Sequence, residues 1–262
     1  MALTAAQLKA RDGRLTASRV GCLMTGDATK ILTLWREMVG DAEPEDLSGI
    51  WPVRLGEDTE ALNLEWYERR TGRTLMRRGE VVVCPGADWA ACTLDGWDAA
   101  EPGPVDAKHV GGFEDRRTVV DRYVPQMMWQ MICTGAKWSA LSIIEGAREP
   151  AIEPVLYDAI YAGTLMNRAE RFMECVWSLT PPVDFAPTPA PAKPEKVYDM
   201  TGSNAWAEHA GLWLENRMAA KAFDGAAKEI KALVAPDASR AYGHGISVSR
   251  SKAGALTIKQ EG

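Results

Sequence analysis

Residues 93–108 read TLDGWDAAEPGPVDAK, and this stretch constrains the fold more than any other. An apolar run ends on Asp95, a loop rich in Pro, Gly and acidic residues follows, and Asp106 and Lys108 then stand two apart before another apolar step. In a strand, residues i and i+2 point to one face. Asp106 and Lys108 therefore project together, with Asp95 on the other side of a hairpin. Two carboxylates facing one pocket repel each other, and a hard divalent cation relieves that repulsion. A lysine beside such an ion can orient or deprotonate a water.

Composition narrows what the pocket could hold. The chain has 262 residues, 46% hydrophobic and 25% charged, which suits one large core with an appendage. A net charge of −6 excludes a broadly basic nucleic-acid coat but leaves room for a local basic groove. Cys22, Cys84, Cys92, Cys133 and Cys175 are scattered without a CxxC, so they read as reduced thiols rather than zinc or iron–sulfur ligands. With only His109, His209 and His244 available, any metal here is expected to be held by oxygen. No apolar run reaches the roughly 18 residues of a membrane span, and MALTAAQLKARDG lacks the apolar core of a signal peptide.

Around the central stretch the pattern alternates between helix and strand. RDGRLTASRVGCLMTGD suggests a helix capped by Thr16 or Ser18 and buried through Val20, Leu23 and Met24, with Arg11 and Arg14 just upstream. A capped surface helix accounts for these residues without any ligand, although a helix N-terminus also attracts phosphate. A short helix is expected around 31–38. RLGEDTEALNLEWYERRTG predicts a helix ending at Gly72, with Leu55, Thr59, Leu62, Trp66 and Tyr67 inward and Glu60 early in it. Residues 80–84, WAACTLDGW and VDAKHV read as a three-strand meander carrying Asp95, Asp106 and Lys108 on adjacent strands. Residues 118–134 predict a helix with Pro125 in its first turn and with Gln126 and Gln130 on one face. WSALSIIEG predicts a strand, and 154–179 a long helix with Ile160, Leu165, Ala169, Phe172, Val176 and Leu179 inward. The proline-rich run 181–196 reads as an extended linker between a domain at 1–180 and an appendage at 197–262. That appendage is expected to hold an amphipathic helix (203–234) with Trp206, Leu212, Trp213, Ile230 and Leu233, then a basic hairpin turning near 252–254.

The motifs come in a telling order: RxGxxTAS (11–18), GxxxE (56–60), the DG of TLDG (Asp95, Gly96), DxK (106–108) and YxxQ (123–126). From about residue 9 to 180 this order resembles the YqaJ-type viral recombination nucleases of the PD-(D/E)xK superfamily, the group of phage lambda exonuclease. Leu94 stands where that family often has proline, and Asp106 where close relatives have glutamate. The resemblance implies an α/β (α+β) fold, a restriction-endonuclease-like core with a central mixed sheet flanked by helices. It also implies a site. Asp95, Asp106 and the Ala107 carbonyl would ligate metal, Glu60 would reach it directly or through water, Lys108 would activate the attacking water, and Gln126 would help to position it. Arg11, Thr16, Ser18 and Thr93 match positions that hold a 5′-phosphate. Two Mg²⁺ ions about 3.5–4 Å apart, with Mn²⁺ able to substitute, would stabilise the attacking and leaving oxygens.

The implied activity is 5′→3′ degradation of linear duplex DNA, leaving 3′ single strands for a phage annealing protein. A ring-shaped homotrimer and a phage- or prophage-encoded protein of the bacterial cytoplasm complete that expectation. Two readings compete with it. One is an endonuclease or nickase on the same fold, which would cut closed circles. The other is a non-catalytic module that binds DNA ends, which metal-dependent hydrolysis would exclude.

Overall fold

The computed structural model describes residues 4–191 and 197–261. They form two compact units, Met1–Lys193 and Pro194–Gly262. In the first unit the chain runs α1 (Ala5–Arg11), β1 (Leu15–Thr16), α2 (Ala17–Thr25), α3 (Ala28–Met38), α4 (Trp51–Thr71), β2 (Leu75–Met76), β3 (Val81–Cys84), β4 (Ala87–Thr93), β5 (Gly96–Asp98), β6 (Gly103–Val110), α5 (Arg116–Thr134), β7 (Trp138–Glu145), β8 (Ala151–Leu156) and α6 (Ala159–Trp177).

The central sheet has the order β2-β5-β6-β7-β8 and is mixed: β6 and β7 run parallel, and the other pairs antiparallel. A smaller sheet, β1-β4-β3, lies beside it. This is the α/β architecture expected, but the three-strand meander is not present as such. Gly79 N–H donates to the Leu94 carbonyl and Leu94 N–H to the Glu80 carbonyl, which ends the β3–β4 ladder. The next pairing, Gly96 with Val105, belongs to the other sheet. Asp95 therefore occupies the crossover between two sheets, one residue beyond the register that puts it opposite Asp106.

Period-2 alternation along β6 assigns its two faces. Val105 and Ala107 pack with Leu64, Tyr67, Leu75 and Ala140 under α4. Asp106 points the other way, to α5, whose Val119, Met127, Met128, Trp129 and Met131 belong to the main core. Trp129 is fully buried and its Nε1–H reaches the Ala91 carbonyl at 3.0 Å. Truncating it to alanine should destabilise the unit by about 3–5 kcal/mol.

Several local expectations are corrected. The helix carrying Glu60 starts at Trp51, with Pro52 in its first turn and no acidic residue there, so Glu60 is mid-helix rather than a dipole partner at its start. The residues it buries are Asn63, Leu64 and Tyr67, while Leu62 is exposed. Pro125 lies inside α5, not in its first turn. The helix expected over 154–179 divides: β8 pairs with β7 up to Leu156, Asp158 caps α6 through Tyr161 N–H, and both Ile160 and Leu179 are exposed. The run after α6 stays on the first unit: Thr188 N–H donates to the Met24 carbonyl, and Arg171 lies over the Phe185 ring. Gly26, at φ 68°, is crossed so closely by Phe185 and Pro187 that a β-carbon would clash with backbone at 2.6 Å. Residues 192–196, the end of the expected linker, lie outside those described.

The second unit holds α7 (Asn204–Ala232) and an antiparallel sheet β9-β10-β11, formed by Arg240–Gly243, Ile246–Arg250 and Leu256–Gln260. The expected hairpin is present as β10–β11 and gains a third strand. α7 buries none of its residues, so the expected inward stripe is not formed: Trp206, Leu212 and Trp213 are exposed.

Candidate active site

Four elements meet at the acid pocket. Asp95 comes from the sheet crossover, Asp106 and Lys108 from β6, Gln126 from α5 and Glu60 from α4. Asn63 seats α4 on the sheet one turn after Glu60. Its amide donates to the Ser142 carbonyl at 2.9 Å and the Lys108 carbonyl at 3.3 Å, and its oxygen accepts from the Ser142 hydroxyl at 2.6 Å. A cleft of about 770 Å³ opens beside Glu60, Asp95, Ala107, Lys108 and Tyr123.

Within the pocket the electrostatics are unbalanced. Asp106 is fully buried. Its Oδ1 accepts from Gln126 at 2.7 Å and from Gln130 at 2.9 Å. Its Oδ2 is ion-paired with Lys108 Nζ but takes no aligned hydrogen bond. Asp95 Oδ2 accepts from Ala107 N–H at 2.9 Å. Burial first, then the Asp106 charge and more weakly that of Glu60, push Asp95 up to about 7 against the opposing pull of Lys108 and the Ala107 N–H. Burial works against the Lys108 ammonium too, but Asp106 and Asp95 outweigh it and hold its pKa above the ordinary lysine range. Lys108 also lies 5.2 Å from the Tyr123 ring centre.

These groups suit a hard divalent cation. Asp95 and Asp106 offer carboxylate oxygens, the Ala107 carbonyl lies 3.5 Å from Lys108 Nζ, and Asp106 Oδ2 is a buried acceptor short of donors. Among the described residues no three His, Cys, Asp or Glu side chains form a chelating group by themselves. A carbonyl and water would have to complete the shell, as is common for Mg²⁺.

A second cluster lies at the same end of β4, whose last residue is Thr93. Arg11, in the last turn of α1, reaches the hydroxyls of Thr93, Thr16 and Ser18 at 3.3, 3.4 and 3.5 Å, and Thr16 and Ser18 lie 3.3 Å apart. Thr16 is the N-cap residue of α2, yet its hydroxyl makes no capping bond and turns to the arginine instead. Burial and then the charge of Arg19 lower the Arg11 pKa. One guanidinium, three hydroxyls and a helix N-terminus make a pocket that an anion fits. Thr93 and Asp95 are two residues apart, so the two clusters are neighbours along the chain.

The sequence profile of the YqaJ-like viral recombinase domain matches residues 7–137, half of the chain. The chain belongs to this family. Its fold matches an alkaline exonuclease from Laribacter hongkongensis with a TM-score of 0.56 and 18% identity, covering 67% of this chain and 94% of that one. A second structure of the Laribacter enzyme, in complex with dAMP, matches with the same TM-score and coverage at 20% identity. A phage-related exonuclease from Haemophilus somnus 129PT matches with a TM-score of 0.53 and 10% identity, covering 63% and 94%. A comparison with curated protein sequences finds no match. Among the described residues of this YqaJ-family chain, no helix is long and apolar enough to cross a membrane.

The site residues implied by the resemblance fall in the two clusters, Glu60, Asp95, Asp106, Ala107, Lys108 and Gln126 in one and Arg11, Thr16, Ser18 and Thr93 in the other, whereas Arg14 donates instead to the Asp88 and Ala10 carbonyls. Sequence reasoning gave no role to Asn63, Arg19 or Gln130. The i, i+4 spacing placed Gln130 on one face with Gln126, but nothing in the sequence showed that both reach Asp106. Asn63 carried a weaker signal, a polar residue on the buried side of a helix.

Proposed function

We propose that this chain is a divalent-metal-dependent deoxyribonuclease, a 5′→3′ exonuclease on linear double-stranded DNA. It would release mononucleotides and leave a 3′ single strand for an annealing partner. The observation that carries this reading is the adjacency of an arginine–hydroxyl anion pocket to a carboxylate–lysine pocket, two residues apart along the chain. A terminal 5′-phosphate held by Arg11, Thr16, Ser18 and Thr93 would bring the first phosphodiester to Asp95, Asp106 and Lys108. That a structure of the same fold is in complex with dAMP supports mononucleotide release.

Asp95, Asp106 and the Ala107 carbonyl would hold the ion, with Glu60 reaching it directly or through water. When bound, Mg²⁺ (or Mn²⁺) supplies charge neutralisation at the phosphodiester and acidifies water. Lys108, kept as an ammonium by the two aspartates, is a donor: it orients the attacking water and offsets charge on the pentacoordinate phosphorus. Gln126 anchors the carboxylate of Asp106 and lines the adjoining cleft with Ser18, Arg19 and Tyr123.

The test is cleavage of three duplexes with Mg²⁺: linear with a 5′-phosphate, linear with a 5′-hydroxyl, and closed circular. The expected order is fast, slow and uncut. Cutting of the circle would favour the endonuclease reading. No hydrolysis of any duplex would favour an end-binding module.

A further inference from the structure

Gln130 takes no part in the chemistry proposed above, yet it is fully buried in the core. One turn of α5 separates it from Gln126, and both amides donate to the same oxygen, Asp106 Oδ1. The Gln130 amide also lies 3.4 Å from the Thr93 carbonyl. Its own Oε1 is sealed from solvent and meets no donor among the described residues. The orientation of this amide is fixed by its partners, since turning it over would set its oxygen against a carboxylate and a carbonyl. A buried oxygen left unpaired is destabilising. The neighbours on α5 at 127, 128 and 131 are methionines, so an apolar side chain would satisfy packing here. The packing alone does not ask for glutamine; Asp106 and Thr93 do.

We infer that Gln130 is a positioning residue that couples the two clusters. Thr93 is bonded on both sides: its hydroxyl to Arg11 in the anion pocket, its carbonyl to Gln130. Asp106 Oδ1 is bonded to the two glutamines, and its Oδ2 is ion-paired with Lys108 without an aligned hydrogen bond. The path Arg11–Thr93–Gln130–Asp106 is thus an unbroken run of polar contacts from the phosphate end to the metal end. Among the described residues, Gln126 bonds Asp106 and not Thr93. Gln126 therefore orients the carboxylate, whereas Gln130 orients it relative to the strand that carries the anion pocket.

This inference rests on the nuclease reading, and its test separates the two. Gln130→Met keeps the volume and removes the donor; Gln126→Met is its counterpart. Mn²⁺ binding is followed by the paramagnetic resonance of free Mn²⁺, and the cleavage-rate ratio of 5′-phosphate to 5′-hydroxyl duplexes is measured alongside. Both variants should bind Mn²⁺ about 10-fold or more weakly. Only Gln130→Met should also lose several-fold in 5′-phosphate preference. If it does not fold cooperatively on melting, Gln130→Asn, which withdraws the amide by one methylene, carries the same expectations. Wild-type Mn²⁺ affinity in the Gln130 variant, or equal loss of preference in the Gln126 and Gln130 variants, would overturn the inference. A wild type that binds Mn²⁺ but cuts no DNA would instead reject the nuclease reading and leave the Mn²⁺ comparison to decide on Gln130.

Discussion

The two ends of β5 carry aspartates in opposite circumstances. Asp98, fully buried at one end, accepts from the Tyr67 hydroxyl at 3.0 Å, Arg73 at 2.9 Å, and the N–H groups of Ala100 and Glu101 at 2.9 and 3.1 Å. Burial alone would raise its pKa, but these donors outweigh it and hold the carboxyl below its ordinary value. Asp95, just before the other end, has the Ala107 N–H and two negative neighbours, and is pushed up to about 7. An acid that pins a hairpin is saturated with donors. An acid left short of donors beside further carboxylates is arranged to receive positive charge from outside the chain.

The largest expected effect breaks the comparison if it fails. Asp95→Ala or Lys108→Ala should lower DNA cleavage by at least about 10²–10³-fold, the usual size for one electrostatic element of a site. Circular dichroism should show both folded. Asp98→Asn should keep cleavage within a few-fold once folded, because its partners lie on the hairpin, α4 and the turn after α4. Equal loss in Asp95 and Asp98 variants would erase the distinction. In the other pocket, Arg11→Ala should reduce the preference for 5′-phosphate over 5′-hydroxyl ends by about 10–100-fold, the range for charge-assisted hydrogen bonds. Cleavage of 5′-hydroxyl ends should change little.

Smaller effects sharpen the contrast through stability. Asp98→Asn should destabilise the protein by about 1.5–3 kcal/mol in denaturant titrations at pH 7. Because the folded pKa of Asp98 is depressed, its contribution is present above the unfolded value near about 4 and disappears as pH falls through the folded value. The acid limb should therefore be shallower in the variant than in the wild type. Asp95→Asn has the opposite sign. A folded pKa raised to about 7 means that stability of the metal-free fold is lost as pH rises from the unfolded value near about 4 through about 7, and changes no further above it. The neutral side chain should stabilise the metal-free protein at pH 8 by on the order of 1 kcal/mol, and by less at pH 5.

The sequence carried the site better than it carried the elements around it. DxK at i and i+2, and a Thr93 two residues before Asp95, are local facts that a strand turns into geometry with little help. The crossover at Leu94 and Asp95 was not legible, because WAACTLDGW is an apolar run whose division between two sheets is decided by the Gly79 and Glu80 backbone rather than by any break in pattern. Tertiary context also overrode local signals in the helices. Pro125 reads as a helix start but lies inside α5, held by packing on both sheets, and apolar residues at 154–156 read as helix but pair with β7. Asn63 is polar yet buried, because two neighbouring parallel strands offer it carbonyl acceptors. The proline run gave no sign that Thr188 is bonded to α2.

The account stands on a divalent ion held between Asp95 and Asp106. Crystals soaked in Mn²⁺ and measured at the manganese edge test this most directly. The prediction is an anomalous peak within about 2.0–2.3 Å of oxygens from Asp95 and Asp106 and of the Ala107 carbonyl. A structure at saturating Mn²⁺ with Lys108 still paired to Asp106 and no peak among these oxygens would contradict it.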